Sequence, residues 1–405
     1  MAEFELDYDY LEETLLQLLA IPSPVGLTDA VARYTANQLE NMGIPFEMTR
    51  RGAIRATLKG KQPRPARAIV AHLDTLGAMV RELKPNGRLA IVPIGHWSAR
   101  FSEGCRLTIF TDNKQIRGTC LPLKTSGHAF GDEVDVQPSN WDQVEVRVDV
   151  SARSAMDLEA AGFRVGDFIA FDPNTEITPA GYITSRYLDD KAAVAALLTS
   201  CKAIQDHGLT PPVDAHPLFT ITEEVGTGAS AALHGDIAEM VSMDIAIGAP
   251  GQNTDEHAVT ICMRDMSGPF DYHLTRKLIG IAEKYSIGHR RDVFRYYRCD
   301  GAAAVEAGND IRTALIGFGA DASHAYERTH RSALTALARL TTHYILSKPV
   351  AARDEQKMAS IDGFTEQLKP EEMEVPNTPL PIPHDFMEEL LTTTKPHSPG
   401  KKSKK

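Results

Sequence analysis

Six side chains suited to divalent metals, His72, Asp189, Glu223, Glu224, Asp244 and His324, stand at the ends of apolar, strand-like runs or at the mouth of a helix. His72 closes Arg67-Ala68-Ile69-Val70-Ala71, and the pair Glu223-Glu224 follows Leu218-Phe219-Thr220-Ile221-Thr222. Asp244 ends Met240-Val241-Ser242-Met243, and His324 comes shortly after Leu315-Ile316-Gly317-Phe318-Gly319. Asp189 lies in Tyr187-Leu188-Asp189-Asp190-Lys191, just ahead of a strongly helical segment. Strand ends converge on one rim of a parallel sheet, which is where open α/β proteins place their sites. Two imidazoles and several carboxylates gathered there suit a pair of borderline divalent ions.

The 405-residue chain, 42% hydrophobic and 24% charged, is long enough to bury a full core in two domains with a tail. Its net charge of −11 argues against a general nucleic-acid binder, because phosphate neutralisation needs clustered Lys and Arg. Cys105, Cys120, Cys201, Cys262 and Cys299 are scattered singly, as reduced thiols of a cytoplasmic protein would be. The opening Met1-Ala2-Glu3-Phe4-Glu5-Leu6-Asp7 is acidic and lacks the apolar core of a secretory signal. No segment approaches the roughly 20 apolar residues of a membrane span, so no membrane partner is expected.

Leu11, Leu15, Leu16, Leu18 and Leu19 stripe an opening helix, and Thr28 is placed to cap a second one that Gly43 closes. Two strands follow, around residues 46–50 and 53–58. Between about Gly77 and Gly181 the pattern changes to short alternating runs, such as Ala78 to Leu83, Leu89 to Pro93, Leu107 to Phe110 and Val144 to Val150. Pro85-Asn86-Gly87 and Asp112-Asn113-Lys114 supply turns between them. Helix-strand rhythm then resumes, with helices from about Lys191 to Asp206, Phe270 to Tyr285 and Ser332 to Leu346. The expected fold is α/β: a mixed, largely parallel central sheet flanked by helices, with a small β-rich domain inserted at residues 77–180. Residues 1–76 and 181–349 would form the catalytic domain. Residues 350–405, rich in Pro, Glu, Thr and Lys and ending in Lys401-Lys402-Ser403-Lys404-Lys405, read as a disordered tail.

His72 and Asp74 are two apart, so on a strand they project from one face and the carboxylate can hold the imidazole's second nitrogen. Two cations a few ångströms apart repel, and a carboxylate shared between them both ligates and neutralises. Asp189 suits that role, with Asp190 as its rival unless Asp190 caps the following helix. Adjacent acids on a strand point to opposite sides, so Glu223 and Glu224 serve one site only if the backbone turns there, as Val225-Gly226 suggests. One glutamate then ligates while the other moves a proton from water to the leaving amine. Asp244 and His324 would complete the ligand set. Glu327, Arg328 and His330 either orient His324 and meet substrate or form surface pairs.

The strings Ala71-His72-Leu73-Asp74-Thr75-Leu76-Gly77, Leu188-Asp189-Asp190-Lys191, Thr222-Glu223-Glu224-Val225-Gly226 and Ser323-His324 resemble the tetrahedral and glutamyl aminopeptidases, the forty-second family of metallopeptidases. The resemblance runs in order from about Leu11 to Leu346 and includes Ile21-Pro22-Ser23-Pro24, Val148-Asp149-Val150-Ser151-Ala152, Gly166-Asp167 and Asp300-Gly301-Ala302. It implies a two-metal aminopeptidase fold, an inserted dimerisation domain, and homo-oligomers built from dimers, up to a dodecamer. It also implies that His72 and Asp244 hold one metal and Glu224 and His324 the other. Asp189 would bridge, Glu223 would act as base and Asp74 would orient His72. Thr75 stands where the family usually has an acid, and Asp321-Ala322-Ser323 where it has Arg-Tyr before the last His. Asp310-Ile311-Arg312-Thr313-Ala314 and Tyr326-Glu327-Arg328-Thr329-His330 look like the subgroup associated with the osmoprotectant N-acetylglutaminylglutamine amide system.

The expected activity is therefore hydrolysis of short peptides, or of a dipeptide-amide osmolyte, through a metal-bound hydroxide with a glutamate base. Zinc is the expected metal, and cobalt and manganese accept overlapping ligand sets. The rival readings are an N-acyl amino-acid deacylase or amidase on the same metals, a glycosidase using Glu223 and Glu224 without metal, and a non-catalytic assembly subunit. The arginines 290, 291, 295 and 298 offer forks for a substrate carboxylate or amide, or else a solvated face. His128, in the insertion, either reaches a neighbouring subunit's site or is structural.

Overall fold

The computed structural model describes residues 4–233 and 237–367. Four parallel strands lie side by side at the centre, in the order Val213–Thr220, Gln62–His72, Ile237–Gly248 and Arg312–Asp321. Residues 66–72 of the second are buried throughout, as a strand covered on both faces must be. Antiparallel strands extend both edges, giving twelve strands among the described residues. The helix Leu188–Asp206 packs on this sheet between the helices Tyr8–Ala20 and Arg331–Ile345. Ala192, Ala193, Ala195 and Ala196, all fully buried, let it pack closely on its neighbours. Lys191 is buried with it and donates from Nζ to the Ile21 carbonyl at 2.6 Å. Burial alone brings that amine down to about 7.

Six further strands close into a barrel between Gly77 and Phe171. In Arg106–Phe110 burial alternates residue by residue, with Leu107 and Ile109 inside and Arg106 outside, the period-2 pattern of a one-sided strand. Where Gln115–Pro122 pairs alongside, a Cβ on Gly118 would lie 3.1 Å from both Leu107 Cδ1 and Ile109 Cδ1, so only glycine fits easily inside that wall. The fold class expected from the sequence is the one observed.

Several local expectations need correction. Thr28 precedes the helix Asp29–Asn41, but its side chain makes no capping hydrogen bond. The β-rich stretch expected to reach residue 180 stops sooner, because Glu176–Ile177 pairs with Tyr182–Ser185 in the main sheet. The expected tail also starts later. Val350 donates its N–H to Glu239, and Asp354 accepts from Arg312 Nε at 2.6 Å, so this stretch is part of the main unit, which extends to Phe364. Glu239 is the hub of that anchorage: buried at the foot of its strand, it accepts from Tyr344 Oη at 2.9 Å and pairs with Lys277 at 3.4 Å and Arg67 at 3.7 Å. Residues 368–405, including the terminal lysines, lie outside the described residues.

Candidate active site

The register of the parallel strands sets the site. Thr220 pairs with His72 and Ser242 with Val70, so two residues on, Asp244 is level with His72. Asp244 was expected at a strand end but lies within Ile237–Gly248, paired with Gly317, because this strand outruns its neighbour. Beyond Thr220 the chain makes a tight turn over Glu223–Val225, closed by Gly226 at φ +78°. That turn brings both glutamates to one side, as their adjacency requires. Asp189 arrives from the mouth of the long helix, where it and Asp190 have non-helical backbone angles and share a cis peptide bond. His324 sits at φ +56° in the loop after Arg312–Asp321.

The six expected side chains come together. Nε2 of His72 is 3.1 Å from Oδ1 of Asp189 and 3.8 Å from Oε2 of Glu223. Nε2 of His324 is 3.5 Å from Oδ2 of Asp189 and 3.4 Å from Oε2 of Glu224. His72, Glu223 and Asp244 each offer a ligand atom within 4.8 Å of the others, and so do His72, Asp189 and Glu224. Burial pushes the Glu223, Glu224 and Asp244 carboxyls well above the usual carboxylate range, and neighbouring carboxylates add to the shift. Burial opposes charge on His72 too, but Asp189, Asp190, Asp74 and Glu223 outweigh it and raise its pKa. So many acids desolvated together are costly unless cations join them, and hard oxygen with imidazole nitrogen is the donor set that borderline divalent ions take. The residues fit a metal centre.

Two buried carboxylates support this group in ways the sequence did not specify. Nδ1 of His72 meets the backbone oxygen of Asp74 at 2.9 Å, while the nearer Asp74 carboxylate oxygen is 3.8 Å away. That carboxylate instead accepts from the backbone N–H of Glu223 and of Glu224, both at 3.1 Å. Glu327 does the same on the other side, accepting from Asp189 N and His324 N, each at 3.1 Å. It is only 2% exposed, which excludes a surface pair. Asp190 does not cap its helix, since its Oδ2 accepts from the backbone N–H of His72.

A cleft of about 610 Å³ opens over the cluster, lined also by Phe294, Arg295, Tyr296, Tyr297 and Arg298. A cavity of about 670 Å³ lies at the other ends of the strands, around Ile237 and Arg312; it has no imidazole in its lining, and its carboxylates Asp271 and Asp354 pair with Arg312. Arg290, Arg291 and Arg298 pair with Asp255, Glu283 and Glu306, and Arg295 alone of the four has no ion-pair partner among the described residues. Arg328 pairs with Glu256, and His330 hydrogen-bonds to Ser332 and the Ala180 carbonyl, so neither orients His324. His128 is exposed on the short helix Gly127–Phe130. Asp300 was quoted only as part of a motif. It accepts from Thr220 Oγ1 at 2.6 Å and Ala229 N at 2.7 Å, holding both ends of the segment that carries the glutamates. Its carboxyl is pushed up to about 6, chiefly by burial. Tyr297 gave no signal in the sequence.

Buried acids and imidazoles gathered over the strand ends of a parallel sheet make a site able to hold metal. The sequence profile described as M42 glutamyl aminopeptidase matches residues 52–340, and the chain belongs to that family of aminopeptidases. The Bacillus subtilis protein named "Putative aminopeptidase YhfE" is 40% identical over 84% of this chain and 98% of its own length. Among solved structures, the aminopeptidase APDkam598 of Desulfurococcus kamchatkensis superposes with a TM-score of 0.77 at 20% identity, over 88% of this chain and 99% of that one. The TET1 peptidase of Pyrococcus horikoshii, described as able to assemble into a tetrahedron or a large octahedral shell, gives 0.74 at 21% identity, over 84% and 100%. At these identities the two structures establish the fold.

Proposed function

We propose that this aminopeptidase holds two divalent ions, zinc by preference, and removes the N-terminal residue of short peptides or opens the equivalent bond of a dipeptide amide. The observation that carries the reading is the orientation of Asp189: one carboxylate oxygen faces His72 and the other faces His324. An acid aimed at two separate imidazoles is placed to bridge two cations. His72 and Asp244 then serve one ion and Glu224 and His324 the other, with Asp74 orienting the His72 region through its backbone contacts. Bound ions would polarise the scissile carbonyl and make the attacking water more acidic.

Glu223 performs the proton transfers. Its carboxylate lies 3.8 Å from Nε2 of His72 and lines the cleft, where it can reach a water held in the site. It accepts the proton of the water whose oxygen attacks the carbonyl carbon, and delivers it to the amine nitrogen as the C–N bond breaks. The similar fold of the TET1 peptidase, described as able to assemble into a tetrahedron or a large octahedral shell, supports a homo-oligomer for this chain. Its five cysteines are unpaired, which suits the cytoplasm, and no helix among the described residues is long and apolar enough to cross a membrane.

The test is a substrate panel on protein reconstituted with zinc, cobalt or manganese, comparing free-amine dipeptides, their N-acetylated forms and an acetylated dipeptide amide. Cleavage of free-amine peptides, lost to a chelator, is expected. Cleavage confined to N-acetylated dipeptides with release of acetate would replace this reading with a deacylase.

A further inference from the structure

Tyr297 belongs to the segment between the strand His289–Val293 and the helix Asp300–Glu306. It is firmly mounted: its backbone oxygen accepts from Met266 N at 2.9 Å, and its ring leans on buried Phe294 with centroids 5.4 Å apart. The residue lines the same cleft as Glu223, Asp244 and His324. Its hydroxyl is shielded from solvent and lies beside the Asp244 carboxylate, without a well-formed hydrogen bond to it or to another group. Asp244, Asp189 and Glu223 are all close enough to act on it electrostatically.

A buried hydroxyl whose one neighbouring acceptor is poorly aligned is unfavourable, and few persist without a reason. Phenylalanine would fill the same space with no such cost. At the wall of a hydrolytic cleft, the natural reason is an acceptor that arrives with the substrate. Negative charge grows on the carbonyl oxygen as water adds to the carbon, and a fixed donor aimed there stabilises the transition state more than the ground state.

Resting on the peptidase reading above, we propose that the Tyr297 hydroxyl is a catalytic hydrogen-bond donor to the oxygen of the scissile carbonyl. No proton leaves the tyrosine: the O–H donates to the developing oxyanion, which collapses to a carboxyl group when the amine departs. The rival role is structural, a tyrosine that merely orients Asp244. The two roles differ in what else they move.

The experiment compares wild type with Tyr297→Phe in metal-reconstituted protein, using a free-amine dipeptide, a tetrahedral aminophosphinic inhibitor and the product amino acid. For Tyr297→Phe we expect kcat to fall about 100-fold, in line with the loss of one oxyanion donor, with KM within about twofold. The inhibitor should bind more weakly by a similar factor while the product amino acid binds as before. Zinc affinity of the stripped protein should be unchanged, and the melting temperature should not fall, since the hydroxyl removed makes no well-formed hydrogen bond. Unchanged kcat would overturn the proposal, as would a loss that tracks weaker zinc binding or a lower melting temperature. Wild type inactive on every free-amine peptide would instead overturn the peptidase reading, a separate outcome.

Discussion

Glu327→Gln should show how far the ligand geometry depends on a residue that faces no substrate. In the wild type one carboxylate accepts from the backbone N–H groups of Asp189 and His324, at 3.1 Å each, and is 2% exposed. Glutamine offers a single oxygen to two donors, and its NH₂ must then face the remaining N–H. Burial, then Asp189, raises the Glu327 pKa well above the usual carboxylate range, so the lost hydrogen bond counts at the ordinary value of about 0.5–1.5 kcal/mol, and one buried donor is left unsatisfied at about 1–3 kcal/mol. Allowing for local relaxation, a destabilisation of about 3 kcal/mol follows from these terms. Both N–H groups belong to residues proposed to hold metal, so zinc affinity should fall about 10- to 100-fold. Urea denaturation of the stripped protein reads the first quantity, and calorimetric zinc titration reads the second. A variant that binds zinc within twofold of wild type, with an unshifted denaturation midpoint, would refute the support assigned to Glu327.

Other substitutions probe separate links of the argument. Glu223→Gln should lower turnover at least about 100-fold with bound metal, measured by elemental analysis, unchanged; equal loss of metal would make Glu223 a ligand. Gly228→Ala would place a Cβ 2.1 Å from Asp300 Oδ1, so a destabilisation of about 1–3 kcal/mol in thermal or urea unfolding is expected. His343 stacks on Tyr285 at 3.5 Å, and burial followed by Arg339 and Lys284 lowers its pKa to about 4. The unfolded chain therefore binds the proton more readily, so this histidine's contribution is present above its unfolded value near 6.5 and is lost as pH falls through about 4. His343→Gln should flatten the acid limb of the stability profile across that window, and an acid limb as steep as that of wild type would contradict the assignment.

The sequence made the main framework legible because strand burial and strand-end chemistry are local signals. Continuous apolar runs before His72 and Glu223 marked the central sheet, and the side chains at the ends of those runs marked the rim where acids and imidazoles gather. What escaped depends on partners far along the chain. Glu327 read equally well as a surface residue, because nothing local shows that two backbone N–H groups, from Asp189 and His324, will converge on it. Asp74 was assigned to the right histidine but through the wrong atoms, since the turn at Glu223 that claims its carboxylate lies 149 residues away. The strands Gln115–Pro122 and Phe168–Phe171 were not singled out, and they are recognised only by closing the barrel. Tyr297 depends on packing alone.

Asp74 and Glu327 clamp main-chain amides rather than the metal-facing atoms themselves. Shape in this cage is thus imposed by wiring that an incoming ion neither makes nor breaks. An ion taken into such a receptacle would find its donors already placed, so exchanging one occupant for another would need no rebuilding of the backbone around it.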